Sequence, residues 1–160
     1  MSLKDPSQKM SKSAVDPRSR ILITDDAPAI SEKVRLALTD SVQGIEYDPS
    51  SRPGISNLIE ILSHFSPNSL PSDTEHQSCE DIAAEFGSSS KRAFKEHVAG
   101  TITNNLKDIR ERYLELTETK GGKLYVETVA IAGREAAERS AESTLNLVKE
   151  AVGLIGRRPQ

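Results

Sequence analysis

Tryptophan is absent from the sequence, and cysteine occurs once, at Cys79. A single thiol excludes both an intrachain disulfide framework and a Cys-based zinc site. Three Tyr and three Phe are the only aromatics, so stacking platforms for unpaired bases are scarce. No apolar run approaches the roughly 18–20 residues that span a bilayer, so no membrane partner is expected. The N-terminus has no apolar core of the secretory type. Lys and Arg are missing altogether from residues 67–90, which hold five carboxylates. The formal charge is −3, from 21 basic and 24 acidic residues, which argues against a general nucleic-acid coat but hides local segregation. Residues 1–20 carry five basic and two acidic side chains.

That positive excess surrounds Lys9-Met10-Ser11-Lys12-Ser13. Pro6 and Pro17 bracket the run, so it is not expected inside a regular helix. Two long cations among small hydroxyl residues suit a polyphosphate: the ammonium groups supply charge, and hydroxyls and free backbone N–H groups supply donors. The plainer reading of such a pentamer is a solvated N-terminal segment with a few lysines.

Downstream the pattern is helical. Ile21-Leu22-Ile23 is compatible with a short buried extended segment. Asp25-Asp26-Ala27-Pro28 reads as a helix start, with Ile30, Val34 and Leu38 on one face and an end at Asp40-Ser41. A turn-rich connection over residues 47–54 leads to a more apolar helix carrying Ile55, Leu58, Ile59, Leu62 and Phe65. Residues 66–77 read as an exposed loop. Ser78 and Asp81 have capping-box spacing before a short helix with Ile82, Ala83 and Phe86 that stops at Gly87. Ser88–Ser90 can cap a helix over about 91–117, whose stripe is Phe94, Val98, Ile102, Leu106, Ile109, Tyr113 and Leu116. Gly121-Gly122 is read as a break. A last helix over about 123–155 has a face of small residues (Ala130, Gly133, Ala137, Ala141) and then larger ones (Leu145, Val148, Val152). The fold class is all-α: a helical bundle of antiparallel helices joined by short turns, preceded by an extended phosphate-binding loop. The expected division is residues 1–20 as the loop and 21–160 as the helical domain.

Lys9-Met10-Ser11-Lys12-Ser13 is the signature loop of class I aminoacyl-tRNA synthetases. Three further stretches narrow the resemblance: Ser2-Leu3-Lys4-Asp5-Pro6, Ala37-Leu38-Thr39-Asp40-Ser41, and Tyr47-Asp48-Pro49 leading into Arg52-Pro53-Gly54-Ile55-Ser56-Asn57-Leu58. In that order the chain resembles the C-terminal part of the bacterial-type tryptophanyl-tRNA synthetase family, from Ser2 to about Ile155, with 68–77 as an insertion. The resemblance implies ATP-dependent activation of tryptophan and transfer to tRNA(Trp), with Mg2+ accompanying ATP. It implies that Lys9 and Lys12 meet the triphosphate as catalytic residues, and that Met10, Ser11 and Ser13 shape the loop around ATP. It implies a homodimer for the complete enzyme, an anticodon-binding helical domain, and a mitochondrial (matrix) or cytoplasmic location. Many family members follow the pentamer with an acid, where this chain has Ala14-Val15-Asp16-Pro17. The family's nucleotide-binding Rossmann domain, with its His-Ile-Gly-His-type motif and tryptophan pocket, is absent from the 160 residues. The reading frame is therefore expected to continue upstream, and this chain alone to be inactive.

Other candidates are weaker. Thr101-Ile102-Thr103-Asn104 superficially matches a Thr-Ile-Gly-Asn variant of the missing motif, but its third residue differs and it lies inside a helix. His64, His76 and His97 have no partner at ligand spacing, so no metal site is expected. Cys79 reads as an incidental thiol, and Asp40 and Asp48 as cap and turn residues. Lys107, Arg110, Arg112, Lys123, Arg134 and Arg139 could face tRNA phosphate, or form a solvated face laced by pairs such as Asp108–Arg112 and Glu135–Arg139. The alternative function is a non-catalytic helical tRNA-binding module derived from a synthetase; a plain helical interaction protein is a third reading.

Overall fold

The computed structural model describes residues 1–65 and 77–154. The expected exposed loop at 66–77 therefore lies, apart from Gln77, outside the described residues, as do His76 and the end of the tail. Among the described residues there is no strand. Five α-helices follow one 3-10 turn at Pro17–Ser19: α1 (Ala27–Arg35), α2 (Pro53–His64), α3 (Cys79–Phe86), α4 (Lys91–Glu118) and α5 (Lys120–Ala151). The chain forms two compact units, Met1–Glu111 and Arg112–Gln160, with the boundary inside α4.

In the first unit the helix starts follow capping chemistry. The Asp26 carboxylate accepts from the Ala29 amide at 3.0 Å, with Pro28 in the first turn. Ser78 and Asp81 form both halves of a capping box, and the Ser90 hydroxyl accepts from the Ala93 amide. α2 is the central element, with every residue from Gly54 to Ile59 buried. Around it pack Leu3, Ile30, Val34, Ile45, Ile82, Phe94, Val98 and Ile102. Phe86 adds a tilted ring contact to Phe94, centroids 5.3 Å apart.

Two expectations for this unit are corrected. α1 stops at Arg35 rather than at Asp40-Ser41, and Leu38 is 55 % exposed instead of extending the apolar face. The chain is diverted there because the Leu38 amide donates to the Leu3 carbonyl at 2.7 Å. The Lys95 ammonium meanwhile donates to the Arg35 and Ala37 carbonyls, a cation at the C-terminal end of α1 where the helix dipole favours one. Ile21-Leu22-Ile23 is not a buried extended segment: Ile21 packs on the core edge, while Leu22 and Ile23 are exposed.

The second unit contains the end of α4 and all of α5. Gly121-Gly122 does not break the helix as expected. Thr119 does, with its hydroxyl accepting from the Gly122 amide at 2.9 Å, and both glycines lie in the first turn of α5. Gly122 is required by closeness: a Cβ there would lie 2.1 Å from the Glu115 carbonyl oxygen. α5 ends at Ala151 rather than near 155, and none of its residues is buried. The bundle expected from its small-residue face is therefore not formed around it among the described residues. In α4 the apolar stripe is buried through Ile102, whereas Ile109 and Tyr113 are exposed.

Among the glycines of the first unit the closest approach is at Gly54, where a Cβ would lie 2.2 Å from the Leu38 carbonyl oxygen. Gly54→Ala should destabilise the chain by about 3 kcal/mol, the upper end for overpacking against unyielding atoms. Gly100→Ala, with open space around an added Cβ in α4, should stabilise it by about 0.5–1 kcal/mol through helix propensity. Urea unfolding followed by circular dichroism measures both, and the opposite signs are the test.

Candidate nucleotide-phosphate loop and its scaffold

The Lys9–Ser13 run sits on a loop closed at its base by backbone. Leu3, 1 % exposed, donates its amide to the Ser19 carbonyl at 2.9 Å. Its carbonyl accepts from Leu38, and the Ser2 amide donates to the Gln8 carbonyl at 2.7 Å. The Asp5 carboxylate turns the ascending limb by accepting from the Ser7 amide, the Ser7 hydroxyl and the Gln8 side chain. Those hydrogen bonds, the Ser7 hydroxyl's first, hold its carboxyl below the usual carboxylate range.

The descending limb is tied by Asp16 and Arg20. Asp16 caps the 3-10 turn through the Arg18 amide and pairs with the Arg18 guanidinium at 3.0 Å. Its pKa is lowered to about 2, chiefly by the Arg18 side chain. The Arg20 guanidinium donates to the Ala14 carbonyl at 2.9 Å. The acid missing directly after the pentamer thus has a structural counterpart at Asp16. Neither Asp16 nor Arg20 was singled out by sequence reasoning; the signal available was an Asp-Pro cap followed by arginines.

At the tip, Met10 is half-buried and packs against the core, while Lys9 and Lys12 on either side are exposed. Neither lysine makes a hydrogen bond or ion pair among the described residues. The Ser11 and Ser13 hydroxyls lie 3.0 Å apart, and the Ala14 amide donates to the Ser11 carbonyl. The arrangement offers two uncommitted ammonium groups held about an apolar anchor, which is what binding of a polyanion requires.

The family-like stretches meet beneath this loop. Asp40 and Arg52 form a bidentate pair at 3.0 and 3.1 Å, and Arg52, 5 % exposed, also donates to the Val42 and Gly44 carbonyls. The Lys91 ammonium joins Asp40 at 3.0 Å. Asp40 is thus the centre of an ion-pair network, more than the cap expected of it, whereas Asp48 is a turn residue accepting from the Ser50 and Ser51 amides. The Asn57 side chain donates to the Met1 and Ser2 carbonyls, fastening α2 to the loop base.

The remaining candidates scatter. Lys107 and Arg110 belong to the first unit, and Arg112, Lys123, Arg134 and Arg139 to the second. Arg110 donates weakly to the Thr24 carbonyl at 3.4 Å. Arg112 pairs with Glu115 and Arg134 with Glu138, in place of the expected Asp108–Arg112 and Glu135–Arg139 pairs. At about 100° per residue, Lys123 and Arg134 share a face of α5 while Arg139 points roughly opposite. Thr101–Asn104 is ordinary helix, with Ile102 buried and Thr103 bonded to the Ala99 carbonyl. His97 stacks on Phe86 and Cys79 approaches the Ser63 hydroxyl at 3.8 Å. No group of three His, Cys, Asp or Glu among the described residues could hold a metal ion, and no described helix is long and apolar enough to cross a membrane.

Residues 1–107 match the family described as tRNA synthetases class I (W and Y), and the chain belongs to it. Within that class it is similar to tryptophan–tRNA ligases. It is 38 % identical over 155 residues to the enzyme of Rickettsia conorii and 35 % over 158 to that of Halalkalibacterium halodurans, covering 97 % and 99 % of this chain. It is 36 % identical over 154 residues to the mitochondrial enzyme of Dictyostelium discoideum, covering 96 % of this chain and 38 % of that one. The tryptophanyl-tRNA synthetase structure of Mycoplasma pneumoniae superposes with a TM-score of 0.62 at 26 % identity, over 96 % of this chain and 44 % of its own. The chain spans less than half the length of the relatives it matches, 43 % and 44 % for the first two.

The Asp40 carboxyl is held well below the usual range, by the Arg52 guanidinium first and Lys91 next, against its own desolvation. The unfolded chain then binds the proton more readily than the folded chain below about pH 4. The pair's contribution should be complete from neutrality down to about pH 5 and lost as acid titrates Asp40. Arg52→Ala should cost about 3 kcal/mol at pH 7, for a buried pair broken on one side, and should flatten the acid limb. Urea midpoints between pH 7 and pH 2.5 for both proteins check this.

Proposed function

We propose that this chain is the C-terminal part of a tryptophan–tRNA ligase, with residues 1–20 ending the catalytic domain and 21–160 forming an anticodon-binding-type helical domain. The observation that carries the reading is the pair of uncommitted cations, Lys9 and Lys12, on a loop whose base is fixed and whose tip is anchored by Met10 alone. Its support is the similarity of the chain to tryptophan–tRNA ligases over nearly its whole length.

In the complete enzyme the tryptophan carboxylate attacks the α-phosphate of ATP, pyrophosphate leaves, and the tryptophanyl group passes from the adenylate to tRNA(Trp). Negative charge grows on the departing phosphates. Ammonium groups that approach it more closely in the transition state than in the ground state raise the rate, whereas equal contact in both does not. Lys9 and Lys12 fill that role, and Ser11, Ser13 and the backbone beside Met10 shape the loop around the nucleotide. Mg2+ enters with ATP, held by its phosphates. Lys107, Arg110, Arg112, Lys123, Arg134 and Arg139 are proposed as separate phosphate contacts to tRNA rather than as one stripe. The complete enzyme is proposed as a homodimer, working in the mitochondrial matrix or the cytoplasm.

The 160-residue chain alone should show no tryptophan-dependent ATP–pyrophosphate exchange, because the family resemblance places the adenine and tryptophan pockets in a Rossmann domain outside these residues; measurable exchange would sink the reading. In the complete enzyme, Lys9→Ala or Lys12→Ala should lower kcat for exchange by about 10²–10³ with little change in tryptophan affinity. If the chain binds tRNA and those exchange rates are unchanged, the non-catalytic tRNA-binding module is the better description.

A further inference from the structure

A second concentration of cations lies away from the Lys9–Ser13 loop. A cavity of about 510 Å³ between α1 and the start of α4 is lined by Ser31, Arg35, Lys91, Arg92, Lys95 and Glu96. Four of these side chains are cationic and one is anionic. Lys91 shares the Asp40 carboxylate with Arg52, and Glu96 pairs with Arg92, at 2.9 Å and largely in solvent, where such a pair is weak. Lys95 is satisfied by the Arg35 and Ala37 carbonyls, which accept hydrogen bonds without cancelling its charge. The Arg35 side chain is exposed and makes no hydrogen bond or ion pair among the described residues.

The local electrostatics oppose this grouping. The first turn of α4 contains no acid and carries Lys91 and Arg92, with Lys95 one turn on, at the end of a helix where the dipole disfavours cations. Lys95 has its pKa lowered, by burial first and by Lys91 next. A sequence selected for stability alone would place an acid there. Local rules are most often broken where a ligand compensates, and the ligand that relieves clustered cations in an open cavity is an oxyanion. The two arginine forks at the rim are suited to phosphate oxygens bidentately, and the Ser31 hydroxyl adds a donor.

We propose that the α1–α4 cavity binds a backbone phosphate of tRNA through Arg35 and Arg92, with Lys91 and Lys95 fixed behind them. This rests on the reading of the chain as tRNA-contacting, and it places a contact outside Lys107, Arg110, Arg112, Lys123, Arg134 and Arg139. The site reads charge rather than base identity, so it sets register and affinity.

The test is filter binding of the 160-residue chain to tRNA(Trp) transcript at 50–300 mM KCl. Both arginines are exposed and outside the core, so Arg35→Ala/Arg92→Ala should retain the helical circular dichroism. The double variant should bind roughly tenfold more weakly, with a log K against log salt slope shallower by about 0.7–0.9 per cation removed. Arg35→Lys/Arg92→Lys, which keeps the charges, should restore most of the slope. Unchanged affinity and slope in the Ala variant, with tight binding by the unaltered chain, overturn the cavity assignment while leaving the broader reading intact. No binding by the unaltered chain defeats both. Titration with inorganic phosphate covers the remaining source of the same chemistry: saturation at the cavity with an unchanged tRNA slope also overturns the assignment.

Discussion

Two backbone hydrogen bonds on one buried residue decide the geometry of this protein. Leu3 gives its amide to Ser19 and takes the Leu38 amide on its carbonyl. The first closes the loop that carries Lys9 and Lys12; the second ties that loop to the helical body and ends α1 early. Leu3 is buried, so neither bond competes readily with water, and leaving either group unpaired would cost its full desolvation penalty, roughly 1–3 kcal/mol. Asn57 repeats the connection from α2, donating to the Met1 and Ser2 carbonyls and accepting from the Met1 amino group. The loop is therefore an extension of the core at its base, and only its tip is free to respond to a ligand.

Charge follows the same division between structural and available groups. Arg52 is consumed inside the protein, divided among Asp40, Glu46 and two carbonyls. Arg18 is consumed by Asp16 in the descending limb, where Arg20 donates to the Ala14 carbonyl. The Lys9, Lys12 and Arg35 side chains have no hydrogen-bond or ion-pair partner among the described residues. In a chain with net charge −3, overall electrostatics says nothing of phosphate affinity. What matters is which cations lack an internal acid, and among these are Lys9 and Lys12 at the loop tip and Arg35 at the mouth of the α1–α4 cavity.

Much of this was legible in the residues. The caps at Asp26 and Ser78 and the core positions of α2 followed from side-chain chemistry and period, and the loop followed from its pentamer and flanking prolines. The errors have a common cause. Leu38 continues a perfect spacing of four from Ile30 and Val34, but a tertiary hydrogen bond to a residue 35 positions earlier overrides it. Gly121-Gly122 looks like a break, yet Thr119 caps more effectively and the glycines are there to let the turn pass close to Glu115. α5 has helical period and an apolar face, and periodicity reports only that a face is apolar, never what covers it. Val126, Val129, Leu145 and Val148 are exposed on a helix of 32 residues, long enough to exceed the nucleation limit of isolated helices. The Arg52–Asp40 pair was hidden for another reason: its members stand in two short words of the sequence, and only the fold puts them in contact.

On the proposed reading, the loop's construction bears on how Lys9 and Lys12 would act during adenylate formation in the complete enzyme. Differential binding needs Lys9 and Lys12 to move relative to the phosphates as charge develops, and movement is cheap only where few contacts break. Shifting the tip sacrifices the partial burial of Met10, the Ser11–Ser13 contact and the Ala14–Ser11 hydrogen bond. It leaves intact the Leu3–Ser19 closure, the Asp5 turn, the Asp16 cap and the Arg20 tie to Ala14. Asp16 and Asp5 both keep carboxyls below the usual range, so these ties remain ionised throughout the neutral range. The contacts such a motion would break are thereby confined between the two limbs, at residues 9–13. Met10 is the natural latch for such a motion. Its unbranched thioether is suited to releasing and re-forming apolar contact with little rotamer penalty.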